Sequence, residues 1–102
     1  MIVVIATIRI AEGRRDDFLA EFKENVPNVL AEDGCIEYAP TIDVPTSIAA
    51  QGDIRNNVVT VVEKWESLAA LEAHLVAPHM KSYRERVKEI VQGASLQVLE
   101  PS

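Results

Sequence analysis

The spacing of hydrophobic residues along the chain switches between the two-residue period of strands and the 3.6-residue period of helices. β-Branched residues fill Ile2 to Ile10, which predicts a first strand with apolar side chains on both faces. From Asp16 to Glu32 apolar residues recur at helical spacing, which predicts an amphipathic helix. Pro27 lies inside it, so we expect a kink or a restart near Asn25. Gly34 suits a left-handed C′ position after this helix.

Two further strands are predicted in the middle of the chain, over Cys35 to Asp43 and over Asn57 to Glu66. The segment between them, Val44 to Asn56, contains Pro45 and Gly52 and is too long for a tight hairpin. Residues 44–56 are therefore expected to form either an extended hairpin arm that leans on a partner or a flap over a pocket.

The last third of the chain is predicted to hold an interrupted helical region and a final strand. Ser67 is a suitable N-cap for a helix that Pro78 interrupts or restarts in a new direction. The stretch from Pro78 to Gln92 has one apolar helical face, and Gly93 is expected to close that helix. Apolar and polar residues then alternate from Ala94 to Glu100, which predicts a fourth strand.

This β-α-β-β-α-β order predicts one α+β domain, residues 1–102, with the ferredoxin-like fold. In that fold a four-stranded antiparallel sheet carries both helices on one face and leaves the other face open. An open face bearing Val, Ile and Leu would be an apolar patch on the order of several hundred Å², and such patches usually mark interfaces. We therefore expect an isologous homodimer, joined through the open sheet faces into a dimeric α/β barrel.

Composition narrows the classes of partner and compartment. The formal net charge is −6, which argues against nucleic acid as a partner because nucleic-acid binders concentrate Lys and Arg on one face. No apolar run reaches the roughly 18 residues that a membrane span requires, so no membrane insertion is predicted. Cys35 is the single cysteine, which excludes an intrachain disulfide and a CxxC metal motif and fits a reducing, cytoplasmic location.

Two stretches of the chain carry a recognisable pattern of residues. Residues 63–75 read E-K-W-E-S-L-A-A-L-E-A-H-L and residues 77–80 read A-P-H-M. This run is similar to the E-x-W-x-s-x-x-A-L-x-x-H-x-x-s-P-H stretch of the antibiotic biosynthesis monooxygenase (ABM) family. Residues 34–38, G-C-I-E-Y, resemble the family's G-C-x-x-Y motif after the first helix. The resemblance extends over the whole chain in length and element order, and it is closest to the short, quinol-monooxygenase-like members.

The resemblance implies a dimeric α/β barrel and, for enzymatic members, oxygenation of a quinol or polycyclic phenol by O₂ without a cofactor. In such a reaction the deprotonated substrate itself donates an electron to O₂. The protein binds the ring in a dry pocket, promotes its ionisation and stabilises the developing anion. The family's pocket Trp, Asn and Arg would fall on Trp65, on Val61 and near Ser95 and Gln97, so only the Trp is matched.

Trp65 and His74 are the candidate catalytic residues. His74 follows Leu71 by three positions at the edge of an apolar helix face, from which it could reach Trp65. Imidazole is the side chain whose ordinary pKa, about 6.5, suits proton abstraction from a phenolic hydroxyl. The structural alternative is a histidine that donates to a backbone carbonyl or covers the C-terminal end of its helix. Trp65 could wall a pocket or fill the core, and in either position its indole N–H should find a partner such as a carboxylate or a carbonyl.

The candidate binding residues are Tyr38, Glu63, His79 and Tyr83, the polar groups on strands and helix faces that could turn toward the same pocket. The two histidines of the chain lie five residues apart with a proline between them. They therefore lack the i, i+4 geometry of a helical metal pair, and no third ligand has a convincing spacing. The sequence predicts no metal site and no cofactor.

Two other functions remain open at the level of sequence. The chain could be a non-catalytic dimeric module that holds a small aromatic ligand. It could also bind or degrade heme, because heme-degrading members of the superfamily use a helix histidine beside a tryptophan. Those relatives also carry an asparagine on the first strand, where this chain has Ala6 and Thr7.

Overall fold

Four antiparallel strands form a single sheet in the computed structural model, which describes all residues from 1 to 102. The elements in chain order are β1 (Ile2–Ile10), α1 (Arg15–Leu30), β2 (Cys35–Thr41), β3 (Val58–Trp65), α2 (Leu68–Leu75), α3 (Pro78–Val87) and β4 (Val91–Leu99). The sheet order is β2-β3-β1-β4. The ferredoxin-like fold expected from the sequence is therefore confirmed, with the second helical region divided at Pro78. None of the three helices is long and apolar enough to cross a membrane.

One face of the sheet forms the core together with the helices. Val4 and Ala6 of β1 pair with Glu63 and Val61 of β3, so these four side chains share a face, and all are buried. The buried side chains of α1, α2 and α3 join the strand residues in one hydrophobic cluster. Phe22 of α1 links the two layers, because its ring stacks on a tyrosine ring of β2.

The opposite face of the sheet contributes nothing to this core. Ile5 of β1 pairs with Val62 of β3, and Val3 lies on the same face; all three are only half-buried. This partial exposure of apolar side chains is what the sequence predicted for a sheet face without helices over it.

Helix α1 differs from its predicted form near its end. It runs unbroken from Arg15 to Leu30, so the restart expected near Asn25 is not found, although Pro27 lies within the helix. Gly34 has the predicted positive φ, +82°, but it lies beyond the C′ position because the helix cap is Ala31. A glycine is needed here because the backbone passes close to α2: a Cβ on Gly34 would lie 2.7 Å from the Cβ of Ala70.

The prediction that Gly93 closes the last helix is wrong. Helix α3 ends at Val87, and β4 begins at Val91, three residues earlier than predicted. Gly93 lies inside β4 opposite Arg9, next to a register shift in the β1–β4 ladder. A Cβ at this position would lie 2.0 Å from the Arg9 guanidinium. The glycine therefore makes room for a side chain of the neighbouring strand, which no local pattern could indicate.

The arm between β2 and β3 covers the predicted residues 44–56 and is closed at its base by an ion pair. Arg55 donates to the two carboxylate oxygens of Asp43 at 2.8 Å each, and its backbone N–H donates to Asp43 at 2.9 Å. Val44 and Ile48 of the arm are about two-thirds exposed, at 64% and 66%. Both side chains are therefore largely open to solvent in the single chain.

Candidate functional site

A largely apolar cavity of ≈ 370 Å³ lies between the core face of the sheet and the helices. Strands β1, β2, β3 and β4 and all three helices contribute to its wall. The residues that line it are Ala6, Ile8, Phe22, Tyr38, Val61, Glu63, His74, Leu75, Met80, Tyr83, Arg84, Val87, Lys88, Val91, Ala94 and Leu96. An apolar cavity with few polar groups is the usual form of a site for a small organic ligand.

Four of the six residues singled out from the sequence line this cavity. They are Tyr38, Glu63, His74 and Tyr83. Trp65 and His79 do not line it: Trp65 lies fully buried in the core, and His79 lies in a polar surface depression beside α1. Trp65 and His79 can therefore influence a ligand in the cavity only through the residues that they contact.

Trp65 acts on the cavity through Glu63. Its indole Nε1–H donates to Glu63 Oε1 at 3.0 Å, so the carboxylate partner expected for the indole is present. The two residues are on the same side of β3, where alternate side chains share a face. This bond fixes one oxygen of a carboxyl group that is only 6% exposed.

Burial raises the pKa of the Glu63 carboxyl above its ordinary value, and the negative charge of Glu32 adds to the rise. The hydrogen bond from Trp65 and the charge of His74 act in the opposite direction but do not cancel it. A carboxyl group that is less acidic than usual and borders an apolar cavity is suited to exchange a proton with a ligand.

The ring of His74 packs against two aromatic rings at the end of α2. It lies in the last turn of α2, whose start is fixed by Ser67 Oγ accepting from the backbone N–H of Ala70 at 3.1 Å. Its ring centroid lies 4.7 Å from that of Trp65 and 5.4 Å from that of Tyr38, the latter edge to face. The ring is therefore packed in a single orientation with only 2% of its residue surface exposed.

The hydrogen-bond partner of His74 is a carboxylate. His74 Nδ1 lies 2.9 Å from Glu32 Oε2, and His79 Nε2 lies 2.8 Å from the same oxygen. The partner of Nδ1 is thus a side chain and not a backbone carbonyl, while the place of His74 in the last turn of α2 fits the alternative of a histidine that covers the C-terminal end of its helix. Sequence reasoning missed Glu32, which is 42 residues from His74 and reaches it only because α1 and α2 end side by side.

The phenol groups of the cavity remain protonated near neutral pH. Burial raises the pKa of the Tyr38 and Tyr83 hydroxyls well above the ordinary value of 10.0, with a further rise from the charge of Glu63. Both hydroxyl groups are thus available as neutral hydrogen-bond donors toward a ligand. Burial also raises the pKa of the Cys35 thiol, which favours its unreactive protonated form.

Val61 and Gln97 depart from the family pattern, and the structure places their side chains on opposite faces of the sheet. Val61 lines the cavity, so an apolar side chain stands where the family's asparagine is expected. Gln97 pairs with Ile5 and therefore lies on the opposite face of the sheet. The cations that border the cavity come instead from Arg84 on α3 and from Lys88 just after it, neither of which was predicted. Arg84 is anchored by an Nη2–H donated to the carbonyl oxygen of a residue in α2 at 2.7 Å.

Comparison with known proteins finds related sequences and agrees with the fold. Residues 1–86 match the family model described as antibiotic biosynthesis monooxygenase. The chain is 43% identical over 103 residues to a protein of Escherichia coli strain K12 named "Probable quinol monooxygenase YgiN", an alignment that covers 99% of this chain and 98% of that protein.

Solved structures share the fold over nearly the whole chain. PA3566 from Pseudomonas aeruginosa superimposes with a TM-score of 0.80 at 25% identity, covering 99% of this chain and 93% of that chain. A conserved protein from Methanosarcina mazei gives a TM-score of 0.83 at 19% identity, covering 99% and 92% of the two chains. At that lower identity the likeness concerns the fold alone.

Proposed function

Since the chain belongs to the antibiotic biosynthesis monooxygenase family, we propose that it is a cofactor-independent monooxygenase that oxidises a quinol or polycyclic phenol with O₂. The observation that carries this proposal is the apolar cavity. His74 and Glu63 line it and can accept protons, and two tyrosines line it and can donate hydrogen bonds. An aromatic ring suits the apolar wall, and its hydroxyl group would require a small number of polar partners.

The proposed first step is removal of a phenolic proton by His74. With Nδ1–H donated to Glu32, the other ring nitrogen, Nε2, carries the lone pair and can accept a proton. The resulting phenolate gives an electron to O₂, and the superoxide and substrate radical combine to form a bond between oxygen and a ring carbon. The proton taken up earlier returns to the outer oxygen and gives a hydroperoxide. Loss of the hydrogen on that ring carbon then breaks the O–O bond, so one oxygen atom remains as a carbonyl and the other leaves as water. Glu63 is the second group that can exchange a proton during these steps, because its pKa is raised.

Stabilisation of the phenolate is the second task of the site. The hydroxyls of Tyr38 and Tyr83 can donate hydrogen bonds, and Arg84 and Lys88 provide positive charge at the cavity. The two tyrosines are buried, so hydrogen bonds from them would be stronger than in water, whereas Arg84 and Lys88 are exposed and solvent screens their charges. Arg84 and Lys88 take the place of the cation that the last strand lacks.

A homodimer joined through the open sheet face is part of the proposal. It would bury Val3, Ile5 and Val62, and the exposed arm residues Val44 and Ile48 would find apolar cover on the partner. Leu96 lines the cavity and is 46% exposed, but it pairs with Ala6 and so lies on the core face, which this dimer would not cover.

Oxygen consumption on mixing with reduced naphthoquinones and anthrones tests the proposed activity. We expect uptake above the rate of autoxidation, with kcat/KM falling by about 10²- to 10⁴-fold in His74→Ala, as for loss of a general base. Glu72→Ala is the matched control, because Glu72 is exposed on the same helix and is absent from the cavity wall. Absence of enzyme-dependent uptake across a broad panel of quinols and phenols would rule the activity out.

A second candidate is a non-catalytic module that binds a small aromatic ligand. Val61 favours it, because an apolar residue there removes a polar partner that enzymatic family members use. This function predicts that quinols raise the melting temperature of the protein while no O₂ is consumed. Thermal shift and oxygen-electrode measurements on the same ligands separate the two functions.

A further inference from the structure

Three potential metal ligands converge at the ends of the three helices. Glu32 follows α1, His74 lies in the last turn of α2, and His79 lies in the first turn of α3. Oε2 of Glu32, Nδ1 of His74 and Nε2 of His79 all lie within 4.8 Å of one another. Pro78 makes this possible, because the break that it introduces brings two histidines five residues apart to a common point.

The distances from Glu32 to the two histidines are close to those of a coordination sphere. Ligand atoms about 2.0–2.2 Å from one ion lie roughly 3.0–3.5 Å apart. Glu32 Oε2 is 2.9 Å from His74 Nδ1 and 2.8 Å from His79 Nε2. The two ring nitrogens lie within 4.8 Å of each other, so side-chain rotations that move these atoms by roughly 1 Å would bring all three to one ion. Without metal these contacts are hydrogen bonds in which one carboxylate oxygen accepts from two imidazoles.

We propose that Glu32, His74 and His79 form a binding site for a divalent transition-metal ion of the Zn²⁺ type. Two imidazoles and one carboxylate are the ligand set that suits Zn²⁺ and its neighbours, whereas Ca²⁺ and Mg²⁺ favour oxygen ligands alone. The ion can enter from solvent, because the side chains of His79 and Glu32 are 25% and 14% exposed. Three protein ligands leave a fourth position for water.

Metal binding has a consequence for His74, which rests on the proposed oxidation. A neutral imidazole carries one proton, so a metal ion on Nδ1 forces that proton onto Nε2. The nitrogen that accepts a proton from the substrate in the metal-free protein then becomes a donor and cannot act as a base. Zn²⁺ is therefore expected to inhibit the oxidation from a position outside the cavity.

Calorimetric titration of the metal-stripped full chain with Zn²⁺ tests the site directly. We expect one ion per chain and an affinity that drops at least about tenfold in Glu32→Gln and in His79→Gln. Glu72→Gln is the control for charge, because it makes the same substitution at an exposed position of α2. Cys35→Ala is the control for thiolate binding. Circular dichroism of each variant establishes that it is folded, and His79→Gln is the milder change since His79 lies nearer the surface.

The tryptophan supplies a second signal that does not depend on catalysis. Trp65 is the single tryptophan of the chain, and its ring lies 4.7 Å from that of His74. Paramagnetic Ni²⁺ should therefore quench its emission in the wild type and in Glu72→Gln, but much less in His79→Gln. Equal Zn²⁺ affinity in the wild type, Glu32→Gln and His79→Gln, or loss of binding in Cys35→Ala, would overturn the proposed site.

The inhibitory effect is measured separately from binding. For each variant that oxidises a quinol, the rate with Zn²⁺ is compared with the rate of the same variant in a chelator. Inhibition that follows the calorimetric affinity supports the effect on His74, and full activity at saturating Zn²⁺ overturns that effect. If no quinol is oxidised at all, the proposed function fails while the calorimetric and fluorescence results still decide the metal site.

Discussion

The indole of Trp65 lies outside the cavity and donates its N–H to the carboxyl group of Glu63, which lies inside it. Of the two positions that the sequence allowed for Trp65, a pocket wall or the core, the structure has the second, and the indole contacts the cavity through Glu63. Because Trp65 also packs 4.7 Å from His74, it contacts both proton-accepting groups of the cavity. In the proposed oxidation Trp65 would therefore act as a positioning residue.

Replacement of Trp65 by Phe should destabilise the fold, because it removes the donor to a buried carboxyl oxygen. A buried polar group left without its partner costs about 1–3 kcal/mol, and loss of ring volume adds to this. Urea unfolding of the wild type and Trp65→Phe measures the difference. A change below the experimental error would mean that the bond contributes nothing to stability.

Glu63 should make stability fall as pH rises. Its pKa is raised in the folded chain above the ordinary value of 4.5, so the native state binds this proton more tightly than the unfolded state. The contribution is fully present below pH 4.5 and is lost as pH rises through the folded pKa. In Glu63→Gln this decline should be missing. The free energy of unfolding of both proteins, measured across this range, checks the prediction, and parallel pH profiles would contradict it.

Alanine at Gly34 should be far more damaging than alanine at Gly13. Both glycines have positive φ, +82° and +76°, so each substitution pays a backbone cost of about 1–2 kcal/mol. A Cβ at Gly34 would also collide with Ala70 at 2.7 Å, whereas nothing lies within 4 Å at Gly13. Melting temperatures should therefore fall further in Gly34→Ala. The double variant Gly34→Ala with Ala70→Gly should recover part of the loss, and no recovery would exclude the collision as the cause.

Light scattering tests the expected dimer. A dimer of the 11.3 kDa chain should have about twice that mass. Val62→Glu should shift the equilibrium toward monomer, because it places a charge in the centre of the open sheet face. Lys81→Glu is the control, because it changes the charge at an exposed position of α3, on the other side of the sheet. A monodisperse wild-type monomer at micromolar concentration would contradict the dimer.

Several features of the protein could be predicted from local sequence. The order of strands and helices is set by the hydrophobic period of each segment, which involves residues only a few positions apart. The need of Trp65 for a polar partner follows from its indole N–H alone, and the partner lies two residues away on the same strand face. Tyr38, Glu63, His74 and Tyr83 could be predicted as cavity residues because each interrupts or borders an apolar face.

Other features depended on contacts between distant segments. Gly93 was predicted to end a helix, yet its position is decided by the guanidinium of Arg9 on the neighbouring strand. Nothing in the local sequence distinguished Glu32 as a site residue from the other charged residues near the end of α1. Only the packing of the helices brings its carboxylate to His74 and His79, since each hydrogen bond spans more than 40 positions of the chain. Local periodicity therefore determined which helices and strands form. Tertiary packing determined which side chains from distant segments meet at the candidate site.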